Sequence, residues 1–347
     1  MCRALHRASA LAFAACVLGA APASAAGEEP RFESLLERFR TPALRITALL
    51  QVVADFQPER SFSGRNGFSL AASRLGIAGQ LDRDFSYLMR ANFSASGGPS
   101  ILDARLSYAP RPDVAVDLGQ FKVPFSKEFL TGAGTIDFVN RAQFVSALVP
   151  GRQLGAQVRG TAAGERLALA AGLWNGNAAA SNGNDDDRFL YAARATVRPL
   201  ATPGAPGPLE LGANVAVSRD RNSSLLAGSL PGFAGRRRLA GADVRWTQGD
   251  WLASGEVIGA RLEPDAGGRV EPWGFQVTGG YRWTPRLQGL ARFERFRPDG
   301  ASADLDLFIA GLNVTASRPI GIQVNLVLPT NAGRRHQQLL LNTQLDF

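Results

Sequence analysis

The chain has two lysines, and both fall where its dominant pattern breaks. Lys122 and Lys127 lie within Val116 to Gly160 (VDLGQFKVPFSKEFLTGAGTIDFVNRAQFVSALVPGRQLGAQVRG), with Arg141 and Arg152 further along. The stretch opens as an alternating strand, loses its period at Pro124 and regains it after Gly151–Arg152. Side chains of these types attract anions. Guanidinium holds phosphate or carboxylate through two parallel hydrogen bonds, and ammonium offers a compact, movable charge. A long segment among short hairpins is a place for function more often than a passive connector. The expectation is a loop that folds into a barrel and narrows it.

Other chemistries lack their residues. Both cysteines, Cys2 and Cys16, and one of the two histidines, His6, belong to the first segment, which leaves His336 as the single later imidazole. A single histidine disfavours a Ser-His triad unless an unusual base substitutes, and there is no G-x-S-x-G elbow. A zinc site needs several His or Cys ligands, and no phosphate-cradling glycine motif occurs. Asp185-Asp186-Asp187, after Asn182-Gly183-Asn184, has oxygens suited to calcium, but reads as a solvated loop tip. The chain is expected to have no cofactor and no catalytic centre.

The elements that must position these cations begin at Leu44. Residues 1–26 read as a signal peptide: Arg3 and Arg7, an apolar run from Ala8 to Ala20, and Ala23-Ser24-Ala25 as a cleavage site. That implies export, and a mature chain without a disulfide. Residues 27–43 read as a periplasmic arm. From Leu44 to Phe347 the period is two, as when one face of a sheet meets an apolar medium and the other is wet. About sixteen segments of roughly ten residues follow, the length of a tilted strand crossing a bilayer. Short turns such as Gln248–Asp250 and Arg318–Pro319 interleave with longer polar connectors, among them Asn175–Asp187, Asp220–Arg236 and Pro329–His336. Trp273, Phe275, Val277, Gly279, Tyr281 and Trp283 share one face with aromatics at both ends, the girdle pattern of a membrane barrel. A soluble sandwich does not call for so many near-equal strands.

Strand parity turns many arginines to the wet face, including Arg74, Arg90, Arg105, Arg159 and Arg194, together with acids such as Asp103, Asp117 and Asp243. Some will neutralise one another across strands. The net charge is +8, or about +6 without Arg3 and Arg7, a surplus that favours anionic partners. Export and the lack of an aromatic-studded basic motif argue against nucleic acid.

GQFKVPFSKEFLT, FVNR (Phe138 to Arg141) and LVPGRQLGAQVRG, followed by Gly172-Leu173-Trp174-Asn175-Gly176, resemble the signature region of the phosphate-selective porin O and P family. The resemblance implies a trimeric porin of sixteen strands, with an inward-folded third loop and a basic lumen. The family's loop lysines fall on Lys122 and Lys127 and its arginine on Arg141. The chain departs from the pattern in having modest loops, little lysine elsewhere and no basic run inside the loop.

The fold expected is an all-β, transmembrane antiparallel barrel of about sixteen strands over 44–347, with its third loop in the lumen. The function expected is passive diffusion of small anions across the bacterial outer membrane, phosphate or polyphosphate first. A general or carboxylate-preferring porin and a plugged structural or adhesive barrel stand as alternatives. The residues expected to form the pore site are Lys122, Lys127, Arg141, Arg152, Arg74, Arg90, Arg105, Arg159 and Arg194. The expected partners are small inorganic anions, outer-membrane lipid, two further copies of the chain and, through the terminal Phe347, the outer-membrane assembly machinery.

Overall fold

The structure, a computed structural model, describes residues 41–57, 67–94, 98–176, 183–184, 186–202, 207–331 and 337–347. The signal-peptide stretch, nearly all of the 27–43 arm, Asp185 and His336 lie outside the described residues.

Alternation from Arg45 onward folds as expected into strands. They are β1 (Arg45–Phe56), β2 (Gly67–Gln80), β3 (Phe85–Asn92), β4 (Ser100–Arg111), β5 (Val114–Lys122), β6 (Arg152–Ala162), β7 (Leu167–Trp174) and β8 (Leu190–Val197). The second half contains β9 (Leu209–Leu225), β10 (Leu230–Gln248), β11 (Trp251–Pro264), β12 (Trp273–Thr284), β13 (Leu287–Arg297), β14 (Leu305–Ser317), β15 (Ile320–Pro329) and β16 (Gln338–Asp346). Each strand pairs antiparallel with its neighbours in chain order, and β16 returns to β1 with Leu49 opposite Asp346, closing a sixteen-strand barrel. Closure leaves the wall without a free edge, as a sheet crossing hydrocarbon requires.

The two faces of the wall are inverted relative to a water-soluble protein. Large apolar side chains are exposed on one face, among them Leu50, Leu118, Val158, Val215, Val257 and Val277. Polar ones are buried on the other, among them Asp103, Asp117, Asn214, Asp243, Glu256 and Asn342. In β12 the exposed face carries Trp273 and Trp283 at its ends, and Trp251 packs on Tyr281 at 4.6 Å near the short-turn end. This is the apolar band with aromatic girdles of a membrane barrel.

One expected loop is absent. Asp220–Arg236 is no polar connector: β9 runs on to Leu225 and β10 starts at Leu230, with a tight 3-10 turn over Leu226–Gly228 between them. Asp220 and Arg237 form a buried ion pair at 3.1 Å, and Leu226 and Phe233 join the apolar core. The inward alternation thus continues, but through charged residues that read as a loop.

The stretch between β5 and β6 contains two short helices, α1 (Lys127–Leu130) and α2 (Gln143–Leu148), and a 3-10 turn over Ala133–Thr135. Its ends meet, because Lys122 and Arg152 stand opposite each other across β5 and β6. Ser126 starts α1 at φ 68°, and its hydroxyl accepts the Phe129 N–H at 3.1 Å. A non-glycine residue held there costs about 1–3 kcal/mol. Burial compensates: Phe125 beside it is fully buried, and Phe144, Val145 and Leu148 of α2 join one apolar cluster with Trp174, Leu190, Ile258 and Phe296. A second cluster joins Phe138 and Val139 to Leu290, Leu307, Ile309, Val327 and Leu340. Each such side chain contributes about 1.5–3 kcal/mol on burial, so the 123–151 segment is anchored along its length.

Candidate functional site

Cross-strand register brings the basic residues of β2 to β6 together around two carboxylates. Arg90 stands directly opposite Asp103 and donates to it at 3.1 Å; Arg152, two strands on, reaches the same carboxylate at 2.9 Å. Asp117 is fully buried and accepts from the Ser107 hydroxyl, from Gln157 at 2.7 Å and from Arg159 at 2.9 Å, with Arg105 at 3.8 Å. Arg74 lies in the like-charge field of Arg152, Arg141 and Arg90, and its Nε is buried without an acceptor.

The end of β5 and the segment each add a cation to this group. Lys122 donates its three N–H groups to the carbonyls of Phe129, Leu130 (3.2 Å) and Thr131 (3.0 Å). Arg141 donates to Glu128 O at 3.1 Å and to Thr131 O at 2.7 Å. Both also lie over the Phe129 ring, at 5.0 Å and 6.0 Å from its centroid. Burial draws the Arg141 guanidinium below its ordinary basicity, with Glu128 opposing and Arg152 adding to the shift; an arginine remains charged regardless. Six basic side chains, Arg74, Arg90, Arg105, Lys122, Arg152 and Arg159, therefore gather around Asp103 and Asp117, and Arg141 joins them beside Arg152 and Glu128.

Two of the expected site residues stand elsewhere. Lys127 turns away from Lys122 and pairs with Glu210, whose other oxygen takes Arg198 at 2.8 Å. Arg194 is buried in a bidentate pair with Asp243 at 2.6 and 2.9 Å.

On the opposite wall the segment is held by side chains of distant strands. Glu128 pairs with Arg292 at 2.7 Å, and Asp137 with Arg245 at 2.8 Å. Amides hold its backbone in sequence: Gln51 on Ala133 O (3.2 Å), Gln344 on Gly134 O (2.8 Å), Gln323 on Ile136 O (3.0 Å) and Asn313 on Asp137 O (2.9 Å). Asn325 then accepts the Val139 N–H at 2.7 Å. A polar cavity of about 220 Å³ lies between Lys127, Glu128 and Asp137 of the segment and Asp243, Arg245, Glu256 and Arg292 of the wall. Parity alone places Arg245 and Arg292 on the wet face; their segment partners Glu128 and Asp137 carry no signal in the sequence beyond their charge. Among the described residues no cluster of three His, Cys, Asp or Glu could hold a metal ion.

Residues 47–302 match the phosphate-selective porin O and P family. No curated protein matches the chain. Among solved structures, the anion-selective porin from Comamonas acidovorans superposes with a TM-score of 0.65 at 12% identity, over 88% of this chain and 99% of that one. The trimer form of in-vitro folded OmpT from Vibrio cholerae gives 0.63 at 12% identity, over 88% and 99%. The channel DcaP of Acinetobacter baumannii gives 0.62 at 13% identity, over 88% and 97%. At such identities the structural likeness is one of fold, whereas the family match spans more than half the chain. The chain is an outer-membrane porin and belongs to the phosphate-selective porin O and P family.

Proposed function

We propose that the barrel is a passive channel for small anions, with phosphate or polyphosphate as the preferred solute. One observation carries this reading: seven basic side chains along β2 to β6 and the adjoining segment are set against three carboxylates, Asp103, Asp117 and Glu128. The surplus cannot be neutralised within the cluster, and in a narrow wet channel it lowers the energy of a passing anion. In this reading the 123–151 segment folds inward and sets the constriction. Its hydrogen bonds to the buried faces of β1 and β13 to β16 support that position. Lys122 binds the segment to the basic wall, Arg141 ties the segment to itself, and Arg74, Arg90, Arg105, Arg152 and Arg159 line the path. Lys127 and Arg194, each held by a carboxylate, shape the wall without adding to the surplus.

The names of the relatives agree: one solved neighbour is an anion-selective porin, and the family is named for phosphate. A homotrimer exported by its first 26 residues and inserted through a terminal strand ending in Phe347 completes the proposal. OmpT, a neighbour in fold, has a trimer form.

Planar-bilayer recording of the purified protein tests the function. A potassium chloride gradient is expected to give a reversal potential on the anion side, and added phosphate is expected to reduce the chloride current at low concentration. Anion preference without phosphate block would leave a general or carboxylate-preferring porin. Absence of any single-channel conductance would leave a plugged barrel.

A further inference from the structure

The outer face of the barrel carries a concentration of arginine on β9, β10 and β11. Alternation on β9 and β10 buries Asp220 and Arg237, while Arg219, Arg221, Arg236 and Arg238 are exposed on the other face. That same face carries exposed Val215 and Val217 on β9, and Ala240, Ala242 and Val244 on β10. On β11, Arg261 follows exposed Val257. The arginines therefore begin where the apolar band stops, at the end of the barrel that bears the 123–151 segment.

Their register is unfavourable for the protein alone. Arg219 stands directly opposite Arg236, and Arg238 directly opposite Arg261. Like charges so placed repel. Acids offset this only in part: Glu263 is 3.8 Å from both Arg236 and Arg238, Asp265 is 2.8 Å from Arg219, and Glu271 is 2.8 Å from Arg261. Arg221 has no ion pair among the described residues. At the same end of β1 and β2 the outer face shows Phe56 against Phe68, rings 6.4 Å apart, and no such rows.

We propose that these rows form a binding site for the phosphate-bearing headgroups of membrane lipid. The border of the apolar band is where headgroups lie. A phosphate between two guanidinium groups accepts paired hydrogen bonds from each and turns a repulsive row into an attractive one. A second copy related by a two-fold axis is a poor occupant, because it would set arginine against arginine, and a three-fold contact, which would meet a different face, is told apart by the oligomeric state below.

The test uses the folded full chain in detergent and native mass spectrometry. The probes are a bis-phosphorylated glycolipid of the lipid A type, phosphatidylcholine and inorganic phosphate. Wild type is expected to retain the glycolipid over phosphatidylcholine. The variant Arg219→Gln/Arg236→Gln/Arg238→Gln/Arg261→Gln is expected to retain about tenfold less or lower still, with single-channel conductance unchanged. Equal retention by wild type and variant overturns the proposal, as does equal retention of phosphatidylcholine by wild type. Inorganic phosphate that the glycolipid fails to displace would mark a free-ion site, and an altered oligomeric state with normal glycolipid retention would mark a contact between copies; either sinks the proposal. Should the fourfold variant fail to fold, wild type alone decides. The glycolipid must raise its unfolding temperature more than phosphatidylcholine does, and equal shifts refute the site.

Discussion

Asp103 governs how much positive charge the basic wall presents, because it alone receives both Arg90 and Arg152. Replacing it by Asn keeps the shape and removes one negative charge. At about 8 Å from a passing ion that is worth about 0.5–2 kcal/mol, depending on the local dielectric. Asp103→Asn is therefore expected to move the reversal potential further to the anion side; a shift toward cations would refute the electrostatic account. Lys122 has a different part, since its N–H groups all go to backbone carbonyls at the end of α1. Hydrogen bonds from a charged donor contribute about 1.5–3 kcal/mol each. Lys122→Met is thus expected to make the 123–151 segment more sensitive to limited proteolysis than Lys127→Met does, which leaves Glu210 with Arg198. The types and faces of these residues were legible from alternation, but their partners were not. Arg194 shows why: its face follows from parity, whereas its bond to Asp243 spans from β8 to β10 and depends on the register of two pairings.

Between β5 and β6 the segment meets the wall at places cut to receive it. A β-carbon added to Gly274 would stand 2.4 Å from Phe144 Cβ, and one at Gly311 would stand 2.9 Å from Phe138 Cε1. Glycine on β12 and β14 therefore makes room for two phenylalanines of the segment. Overpacking such a contact costs about 1–3 kcal/mol. Gly274→Val is expected to displace α2 and give noisy, altered single-channel currents with the β-sheet circular dichroism intact; wild-type currents would show that α2 does not bear on the conducting path. The sixteen strands were legible because period two survives nearly everywhere in the sequence. The upper halves of β9 and β10 were not, because Arg236-Arg237-Arg238 hides one inward arginine between two outward ones. The helices of the segment are too short to carry a helical period, so they emerge only from their packing.

At the scale of the whole barrel, the fold was readable from its alternation and the substrate was not, since surplus charge depends on which pairs neutralise. The proposed trimer belongs to this scale too. Native mass spectrometry of the detergent-solubilised protein is expected to give three copies, and a stable monomer would contradict it. One feature of the wall bears on how the molecule is made. All pairings but one join strands consecutive in the chain, and the exception sets Leu49 against Asp346. Hairpins next to each other form with little loss of loop entropy, whereas joining the first strand to the last encloses nearly the entire polypeptide. This topology predicts a run of fast, local zippering followed by a single slow clasp. Until β16 arrives, β1 and β15 remain bare edges, each able to accept a strand from another chain. Removing residues 338–347 is expected to convert refolding into aggregation, measured by light scattering on dilution from urea. The last strand therefore sets both the time scale and the hazard of assembly.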